Sequence, residues 1–216
     1  NVYDGDWALG LRCGTGVFTY ASGAKFDGEW VDDLMSGRGV QKFSNGDVYA
    51  GDYENGKKHG RGAFTYSNGN VYDGDYIADK RNGRGAFTFA TGEVYEGAWV
   101  DNMKHGRGVM TYCHQGAAYD GDWIENKRHG RGVMTYANGN ECDCVWEMNL
   151  LTVGTLTLPD GMCFEAVFTH GEVDGVDDAG RRPCRVRLTV NGDLHKECGF
   201  RDGVLLDGVA STDSVV

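Results

Sequence analysis

Residues 49–69 read YAGDYENGKKHGRGAFTYSNG, and residues 119–139 read YDGDWIENKRHGRGVMTYANG. Each stretch places an aromatic residue, a glycine and a second aromatic residue at alternate positions, followed by a Gly-Arg-Gly element and a closing Asn-Gly. The triplet recurs at Tyr3-x-Gly5-x-Trp7, Phe26-x-Gly28-x-Trp30, Tyr49-x-Gly51-x-Tyr53, Tyr72-x-Gly74-x-Tyr76, Tyr95-x-Gly97-x-Trp99 and Tyr119-x-Gly121-x-Trp123. The spacing is 23 residues, with one step of 24 near Gln115. Because a fixed period decides an architecture, this pattern predicts a tandem repeat protein.

The order of residues within one repeat predicts a β-hairpin. Alternate positions lie on one face of a strand, so the two rings flank an empty slot that a ring of a neighbouring repeat is expected to fill. A turn is predicted three residues after each triplet, where the residue types tolerate positive φ, at Gly10, Asp33, Gly56, Asp79, Asn102, Asn126, Asn149 and Gly171. We expect a second strand to begin at a Gly-Arg-Gly element such as Gly60-Arg61-Gly62 and to close at an Asn-Gly turn such as Gly69.

Later copies of the triplet are degenerate. They read Cys142-x-Cys144-x-Trp146 and Phe164-x-Ala166-x-Phe168, and a weaker copy begins near His195. The predicted fold is therefore all-β, an elongated single-layer antiparallel sheet of tandem β-hairpin repeats in the form of a twisted rod. Six regular repeats occupy residues 1–141, and degenerate repeats 7 to 9 in residues 142–216 form a C-terminal cap or dimerisation region.

Composition excludes several classes of protein. The chain has 35 glycines and 2 prolines without a three-residue period, which opposes both helices and collagen. Its formal net charge of −11 disfavours nucleic acid as a partner. No apolar run approaches the roughly 20 residues of a membrane-spanning helix. The 7 cysteines are odd in number and no signal segment is present, so we expect reduced thiols in the cytoplasm.

The pattern YxGxWxxGxxxGxGxxxxxxG, carried by residues 49–69 and 119–139, resembles the MORN repeat, and the match extends to Trp146. The resemblance implies a scaffold or interaction module, with cytoskeletal or membrane-associated proteins as partners. Without a further domain, the chain is similar to the repeat-only MORN proteins of protozoan (apicomplexan and kinetoplastid) cytoskeletons. That similarity implies self-association and a place at the cytoskeleton or cell cortex.

The histidines argue against an enzyme. His59, His105 and His129 occupy one periodic position before the Gly-Arg-Gly element, where other repeats have residues such as Cys13 or Ser36. A catalytic base is needed once, in one pocket, and not at every repeat. The sequence therefore favours a non-enzymatic function.

Basic residues recur in one loop position, at Lys57, Lys58, Lys80, Arg81, Lys104, Lys127 and Arg128. We call this set the basic stripe. One hypothesis is that it binds anionic phospholipid, such as phosphoinositide. The favoured alternative is a solvated charge ladder in which carboxylates such as Asp52, Asp75 and Asp122 neutralise the arginines, because the chain is acidic overall.

The repeated aromatic residues have two interpretations. They could line a groove for an extended or helical partner segment, or they could form the packing between repeats. The candidate groove residues are Tyr49, Tyr53, Tyr72, Tyr76, Tyr95, Trp99, Tyr119 and Trp123.

Two further sites are predicted near the C-terminus. His195-x-x-Cys198 has the spacing of metal ligands, and Cys184 and Cys163 would complete a tetrahedral structural zinc site; buried thiols are the alternative. A homodimer is expected through apolar residues of the degenerate repeats, although a monomeric cap is also consistent with their drift. The candidate dimer residues are Leu150, Leu151, Leu156, Leu158, Leu205 and Leu206.

Overall fold

A computed structural model describes residues 1–169, 184–190, 193–201 and 204–206. In these residues the chain forms 18 β-strands, and no helix occurs with the length and apolar character that a membrane crossing requires. The chain divides into two compact units, Asn1–Gly106 and Arg107–Val216. The boundary falls within strand β10 (Met103–Tyr112).

The first unit is an open antiparallel sheet in which every strand pairs with the next strand along the chain. Its strands are β1 (Val2–Ala8), β2 (Leu11–Thr19), β3 (Lys25–Val31), β4 (Leu34–Lys42), β5 (Val48–Glu54), β6 (Lys57–Thr65), β7 (Val71–Ile77), β8 (Lys80–Thr88) and β9 (Val94–Val100).

The second unit repeats this plan, again with antiparallel pairing between consecutive strands. Its strands are β11 (Ala117–Ile124), β12 (Lys127–Thr135), β13 (Glu141–Glu147), β14 (Leu150–Thr157), β15 (Cys163–Thr169), β16 (Cys184–Val190), β17 (Asp193–Arg201) and β18 (Val204–Leu206). The prediction of an all-β chain of tandem hairpins in an open antiparallel sheet is confirmed.

Both predicted kinds of turn are present. Asn55 (φ 51°) and Gly56 (φ 78°) connect β5 to β6 as a two-residue turn with positive φ at both positions, which matches the twist of a hairpin. The second turn closes at Gly69 (φ 89°), whose N–H donates to the carbonyl of Tyr66 at 2.9 Å. Two of the predicted turn positions, Gly171 and Gly192, lie outside the described residues.

The expected start of the second strand was wrong. Strand β6 begins at Lys57, and the Gly-Arg-Gly element lies in its middle, at a β-bulge. Gly60 takes φ +58° there, and the carboxylate of Asp52 accepts a hydrogen bond from the Arg61 N–H at 3.1 Å. The first glycine therefore supplies the backbone conformation of the bulge. The start of the strand was predicted too late because Lys57 and Lys58 belong to a residue type that is depleted in strands.

The slot between the two aromatic residues is filled differently from the prediction. Gly51 and Gly62 lie directly opposite each other on β5 and β6, and the ring of Tyr49 from the same triplet lies over both. The Tyr49 hydroxyl donates to the carbonyl of Asp52 at 3.0 Å. A Cβ at Gly62 would overlap this ring. The slot is filled from within the repeat because a strand side chain leans along its own strand, and because the two glycines have no side chains to keep the ring away from the backbone.

Rings of successive repeats then pack edge to face. The centroid of Tyr49 lies 5.2 Å from that of Tyr53 and 5.3 Å from that of Tyr76 in the next repeat. Tyr76 also contacts Tyr72 of its own triplet at 5.3 Å. The second aromatic residues of repeats two to five are therefore each held between two slot rings, and the core of the first unit is built from neighbouring repeats.

The seventh repeat replaces the ring and its glycine with a disulfide. Cys142 stands in the position of the ring and Cys144 in that of the glycine, and their sulfur atoms are bonded. Both residues are buried, and Cys144 lies opposite Gly154. The expectation of reduced thiols was wrong for this pair, because alternate strand positions place both sulfurs on one face. Cys13, Cys113 and Cys163 are free thiols.

We predict that Gly62→Ala lowers the free energy of unfolding by about 1–3 kcal/mol, because the new methyl group overpacks the Tyr49 ring. In a Tyr49→Ala background the same change should cost less than about 0.5 kcal/mol, since the methyl then has room. Urea unfolding of the four chains in this cycle measures the coupling. The control Ala63→Ser, one residue along the strand, should lie within about 0.5 kcal/mol of the wild type. Equal costs of Gly62→Ala in both backgrounds would contradict ring-on-glycine packing.

Candidate functional site

The basic stripe consists of two kinds of side chain. Lys58, Arg81, Lys104 and Arg128 are partly buried, and each cation lies over aromatic rings of its own unit. The guanidinium carbon of Arg81 is 4.4 Å from the centroid of Trp99, and that of Arg128 is 4.1 Å from Trp146. These cations cover the rings and belong to the packing of the repeats.

The backbone of the same cations is held by the turn of the next repeat. Asn102 accepts a hydrogen bond from the Arg81 N–H at 2.9 Å through its side-chain oxygen, and its carbonyl accepts one from the guanidinium at 2.9 Å. Asp79 accepts the Lys58 N–H in the same way at 3.0 Å. Burial lowers the pKa of Lys58, although Asp79 opposes this shift. The turn residues therefore fasten one repeat to the next.

Three members of the stripe, Lys57, Lys80 and Lys127, are exposed. The Lys80 amine makes an ion pair with the Asp101 carboxylate at 3.0 Å. A lipid surface would therefore meet three lysines, one of them already paired, in place of the seven cations that the sequence indicates.

The face opposite the rings carries alternating arginines and carboxylates, which we call the charge ladder. In the first unit, Arg38 lies 3.6 Å from Asp52, and Arg61 lies 3.1 Å from Asp73 and 3.6 Å from Asp75. In the second unit, Arg107 lies 3.1 Å from Asp120 and 3.9 Å from Asp122. The predicted pairing of arginines with Asp52, Asp75 and Asp122 is confirmed. Each pair is exposed and contributes about 0–1 kcal/mol to stability.

The eight aromatic residues predicted to line a partner groove are buried. None of Tyr49, Tyr53, Tyr72, Tyr76, Tyr95, Trp99, Tyr119 and Trp123 exposes more than 4% of its surface. The ring contacts given above match the alternative interpretation, packing between repeats. In this conformation the ring edges offer almost no surface to a partner.

Burial also changes the acidity of the slot tyrosines. It raises the pKa of Tyr119 to about 12, with a smaller opposing effect of Arg128, and it raises the pKa values of Tyr49 and Tyr72 further. The Tyr119 hydroxyl donates to the carbonyl of Asp122 at 3.0 Å. These phenols therefore stay protonated over the physiological range.

The structure divides the leucines predicted for a dimer interface. Leu156 (0% exposed) and Leu151 (8%) are buried in the second unit, because they occupy inward positions that carry aromatic and basic residues in the regular repeats. Leu150 is exposed, whereas Leu158, Leu205 and Leu206 are partly exposed. Leu151 and Leu156 are therefore core residues, which corrects their assignment to a partner surface.

Sequence reasoning missed a row of exposed valines on the outer face of the second unit. Val153 and Val167 lie opposite each other on β14 and β15, and Val145 lies beside them, its carbonyl accepting from the Thr152 hydroxyl at 2.9 Å. Their exposed fractions are 46%, 45% and 38%. By register these three positions correspond to ladder residues such as Arg61, Asp75 and Asp52. We call this set the valine row; aligning the degenerate repeats with the regular ones would have found it.

The predicted zinc ligands are only partly described. The Cys163 thiol is exposed, 3.5 Å from the Thr157 hydroxyl. The side chains of Cys184, His195 and Cys198 lie outside the described residues, so the zinc site stays a prediction. Within the described part of the chain, no group of three or more His, Cys, Asp or Glu side chains is arranged to hold a metal ion.

A shallow groove of about 580 Å³ lies on the ladder face of the first unit. Its floor consists of glycines and small aliphatic residues, including Val40, Ala50 and Ala63. Its sides carry ladder residues, among them Asp27 and Arg38. The lining combines charged side chains with a flat floor, which suits binding of a partner's surface or of a peptide segment.

The family model described as "MORN repeat" matches residues 3–25, 26–48, 49–71, 72–94, 95–113 and 119–141. These segments together span more than half of the chain. No curated protein matches the chain in sequence.

Two solved structures have a limited similarity to this chain. The TCP10c domain of Drosophila melanogaster Sas-4 is 13% identical, with a TM-score of 0.42 over 69% of this chain and 90% of that chain. A single-residue mutant of the TCP10 domain of Danio rerio CPAP is 12% identical, with a TM-score of 0.25 over 84% of this chain and 97% of that chain. The repeat family, rather than these structures, is therefore the basis for assigning the chain.

We predict that the slot tyrosines ionise only at strongly alkaline pH. Because the folded pKa of Tyr119, about 12, exceeds its usual value of 10.0, the stability contributed by this buried phenol is complete below pH 10 and is lost as the pH rises towards 12. Absorbance at 295 nm, followed together with circular dichroism, should show these tyrosines titrating as the fold is lost. Complete ionisation of all 11 tyrosines near pH 10, with the sheet intact, would contradict their burial.

Proposed function

This chain belongs to the MORN-repeat family, whose repeats usually mediate protein or membrane interaction, and on that premise we propose that it is a non-enzymatic structural scaffold that self-associates through its C-terminal repeats. The family is generally non-enzymatic. The proposed location is the cytoplasm, at the cytoskeleton or cell cortex, with cytoskeletal or membrane-associated proteins as partners, as the resemblance to repeat-only MORN proteins implies.

The observation that carries self-association is the valine row. In the regular repeats, the same positions hold charged residues that keep the outer face solvated, except at Thr15 and Ala98. In the second unit, three adjacent valines replace them, and each exposes more than a third of its surface. Adjacent exposed aliphatic side chains on a sheet face favour burial against another surface.

A second copy of the chain is the proposed occupant of the valine row. The formal net charge of −11 makes two copies repel each other at most positions. That repulsion is weaker where uncharged residues replace the charges of the ladder. Two acidic chains can therefore approach each other at the valine row with a low electrostatic cost. Closed two-fold pairing, which uses the same patch on both copies, is the commonest symmetry for such an interface.

We predict that Val153→Arg combined with Val167→Asp converts a dimer to a monomer. The two substitutions restore the ladder pair found as Arg61 and Asp75 in a regular repeat, so the fold should tolerate them while the apolar patch is lost. Multi-angle light scattering measures the mass directly. The matched control is Val109→Thr, an exposed valine elsewhere in the second unit, which should remain dimeric.

Two results would contradict this proposal. One is a wild-type chain that is monomeric at concentrations up to about 100 μM, which corresponds to an association weaker than about 5–6 kcal/mol. The other is a Val153→Arg, Val167→Asp variant that dimerises as strongly as the wild type. Circular dichroism of the variant checks that its sheet is intact.

Anionic lipid is the alternative ligand, and the structure gives it few cations. We predict that the chain does not float with phosphoinositide-containing vesicles at 0.15 M salt, because the ring-bound cations of the stripe are occupied and the overall charge repels the membrane. If the vesicles retain the wild-type chain but not the double variant Lys57→Glu, Lys127→Glu, lipid binding would replace self-association as the favoured function. A variant with Lys25→Glu, an exposed lysine outside the stripe, is the control.

A further inference from the structure

The charge ladder of the first unit lacks an expected charge of each sign at two nearby positions. The residue between the first ring and the glycine is acidic in every triplet but the third: Asp4, Asp27, Ala50, Asp73, Glu96, Asp120, Asp143 and Glu165. The residue between the two glycines of the regular second strands is arginine in every repeat but the first: Thr15, Arg38, Arg61, Arg84, Arg107 and Arg131. Ala50 and Thr15 are thus the breaks in these two sets of positions, and Ala98, in the position of Asp52 and Asp75, is a third break in the ladder.

Each break removes one ladder partner from a charged side chain. Arg61 reaches Asp73 at 3.1 Å, twelve residues along the chain, whereas the residue twelve positions after Arg38 is Ala50. The Arg38 side chain is accordingly 88% exposed, and its contact with Asp52 is long, at 3.6 Å. Asp27 is the corresponding carboxylate for position 15, where a threonine stands in place of the arginine.

The two charged side chains that these breaks affect, Asp27 and Arg38, lie in the same groove. Asp27, Arg38 and Ala50 all line the 580 Å³ concavity described above. Val40 lies directly between them, paired with Asp27 on one side and Ala50 on the other. Two strand spacings therefore separate the Asp27 carboxylate from the empty carboxylate position over Ala50, which is about 9–10 Å.

This spacing corresponds to three residues of an extended chain in the polyproline II conformation, at about 3.1 Å per residue, which also places side chains i and i+3 on the same face. A segment that crosses the strands at this point could place a basic side chain against Asp27 and an acidic side chain against Arg38. The planar guanidinium of Arg38 suits a carboxylate, which it can hold through two parallel hydrogen bonds. The small side chains of Val40 and Ala50 leave the floor open to the backbone of such a segment.

We propose that this groove binds an extended segment of a partner protein that carries a basic residue and an acidic residue three positions apart. The basic residue pairs with Asp27 and the acidic residue with Arg38, over the space left by Ala50. The proposal rests on the proposed function as an interaction scaffold, and it names the chemistry of one partner.

The surrounding charges favour a polypeptide over an anionic lipid or a free phosphate. Three carboxylates (Asp27, Asp52 and Asp73) and two guanidiniums (Arg38 and Arg61) line the groove, so its net charge is negative and opposes a multiply charged anion. A ligand with one charge of each sign pairs with both Asp27 and Arg38. Polypeptides supply this combination at a fixed spacing.

The experiment uses a library of random linear dodecapeptides displayed on phage and selected against the full chain. The expected result is enrichment of peptides in which Lys or Arg lies three positions from Asp or Glu. Affinities of synthetic copies of the enriched peptides are then measured by fluorescence anisotropy, with a version of each peptide in which the acidic residue is replaced by its amide.

Two variants restore the missing charges without departing from the repeat pattern. Ala50→Asp supplies the missing carboxylate for Arg38, and Thr15→Arg supplies the missing cation for Asp27. Because each substitution introduces the residue that other repeats carry, the sheet should stay folded. Each variant should bind the selected peptides at least tenfold more weakly than the wild type. The control Arg84→Gln changes another exposed ladder arginine outside the groove and should alter binding less than twofold.

Several outcomes would overturn the proposal. They are a selected pool without paired charges, affinities that Ala50→Asp and Thr15→Arg leave unchanged, or an equal loss with Arg84→Gln, which would indicate non-specific attraction. A wild-type chain whose self-association is abolished by Ala50→Asp would identify a second copy, and not a partner protein, as the occupant. A wild-type chain that is monomeric and still binds the selected peptides would overturn self-association alone, so the two proposals fail separately.

Discussion

The regular repeats depend on one packing constraint, an aromatic ring that lies across two glycines on neighbouring strands. Because the ring of Tyr49 occupies the space above Gly51 and Gly62, any side chain at these glycines would displace it. The ring in turn shields the bare backbone of the glycine pair and bonds to a carbonyl in its own strand. A sheet without a second layer thus obtains a core from its own side chains, and each repeat needs only its neighbours to complete it.

This constraint assigns different roles to the two faces of each sheet. The ring face is filled by aromatic side chains and by cations such as Arg81 and Arg128, so its residues are required for folding. The outer face has no comparable packing, and its charge ladder tolerates changes at little cost in stability. Function is therefore expected where the ladder departs from its period, as it does at Ala50 and in the valine row.

Much of the fold could be predicted from the sequence because its turns require particular residue types. Positive φ at positions such as Gly56 and Gly69 restricts the choice to a few residues, and the alternation of the triplet indicates a strand. The origin of the slot ring could not be predicted, because alternation gives the face of a side chain and not its rotamer. The bulge at Gly60 and the burial of Leu156 were missed for a related reason: both depend on the register between strands. The disulfide between Cys142 and Cys144 was not predicted, because the odd number of cysteines favoured reduced thiols although both residues lie on one face of a strand.

The central claim is that each slot ring lies over the glycine pair of its own repeat, and nuclear magnetic resonance of glycine-labelled protein tests it most directly. The account predicts that the Hα protons of Gly62, Gly85 and Gly132 are shifted upfield by ring currents. It also predicts that they show nuclear Overhauser effects to Tyr49, Tyr72 and Tyr119, respectively. Glycine Hα shifts typical of an uncovered strand, or Overhauser effects to the tyrosine of an adjacent repeat, would contradict it.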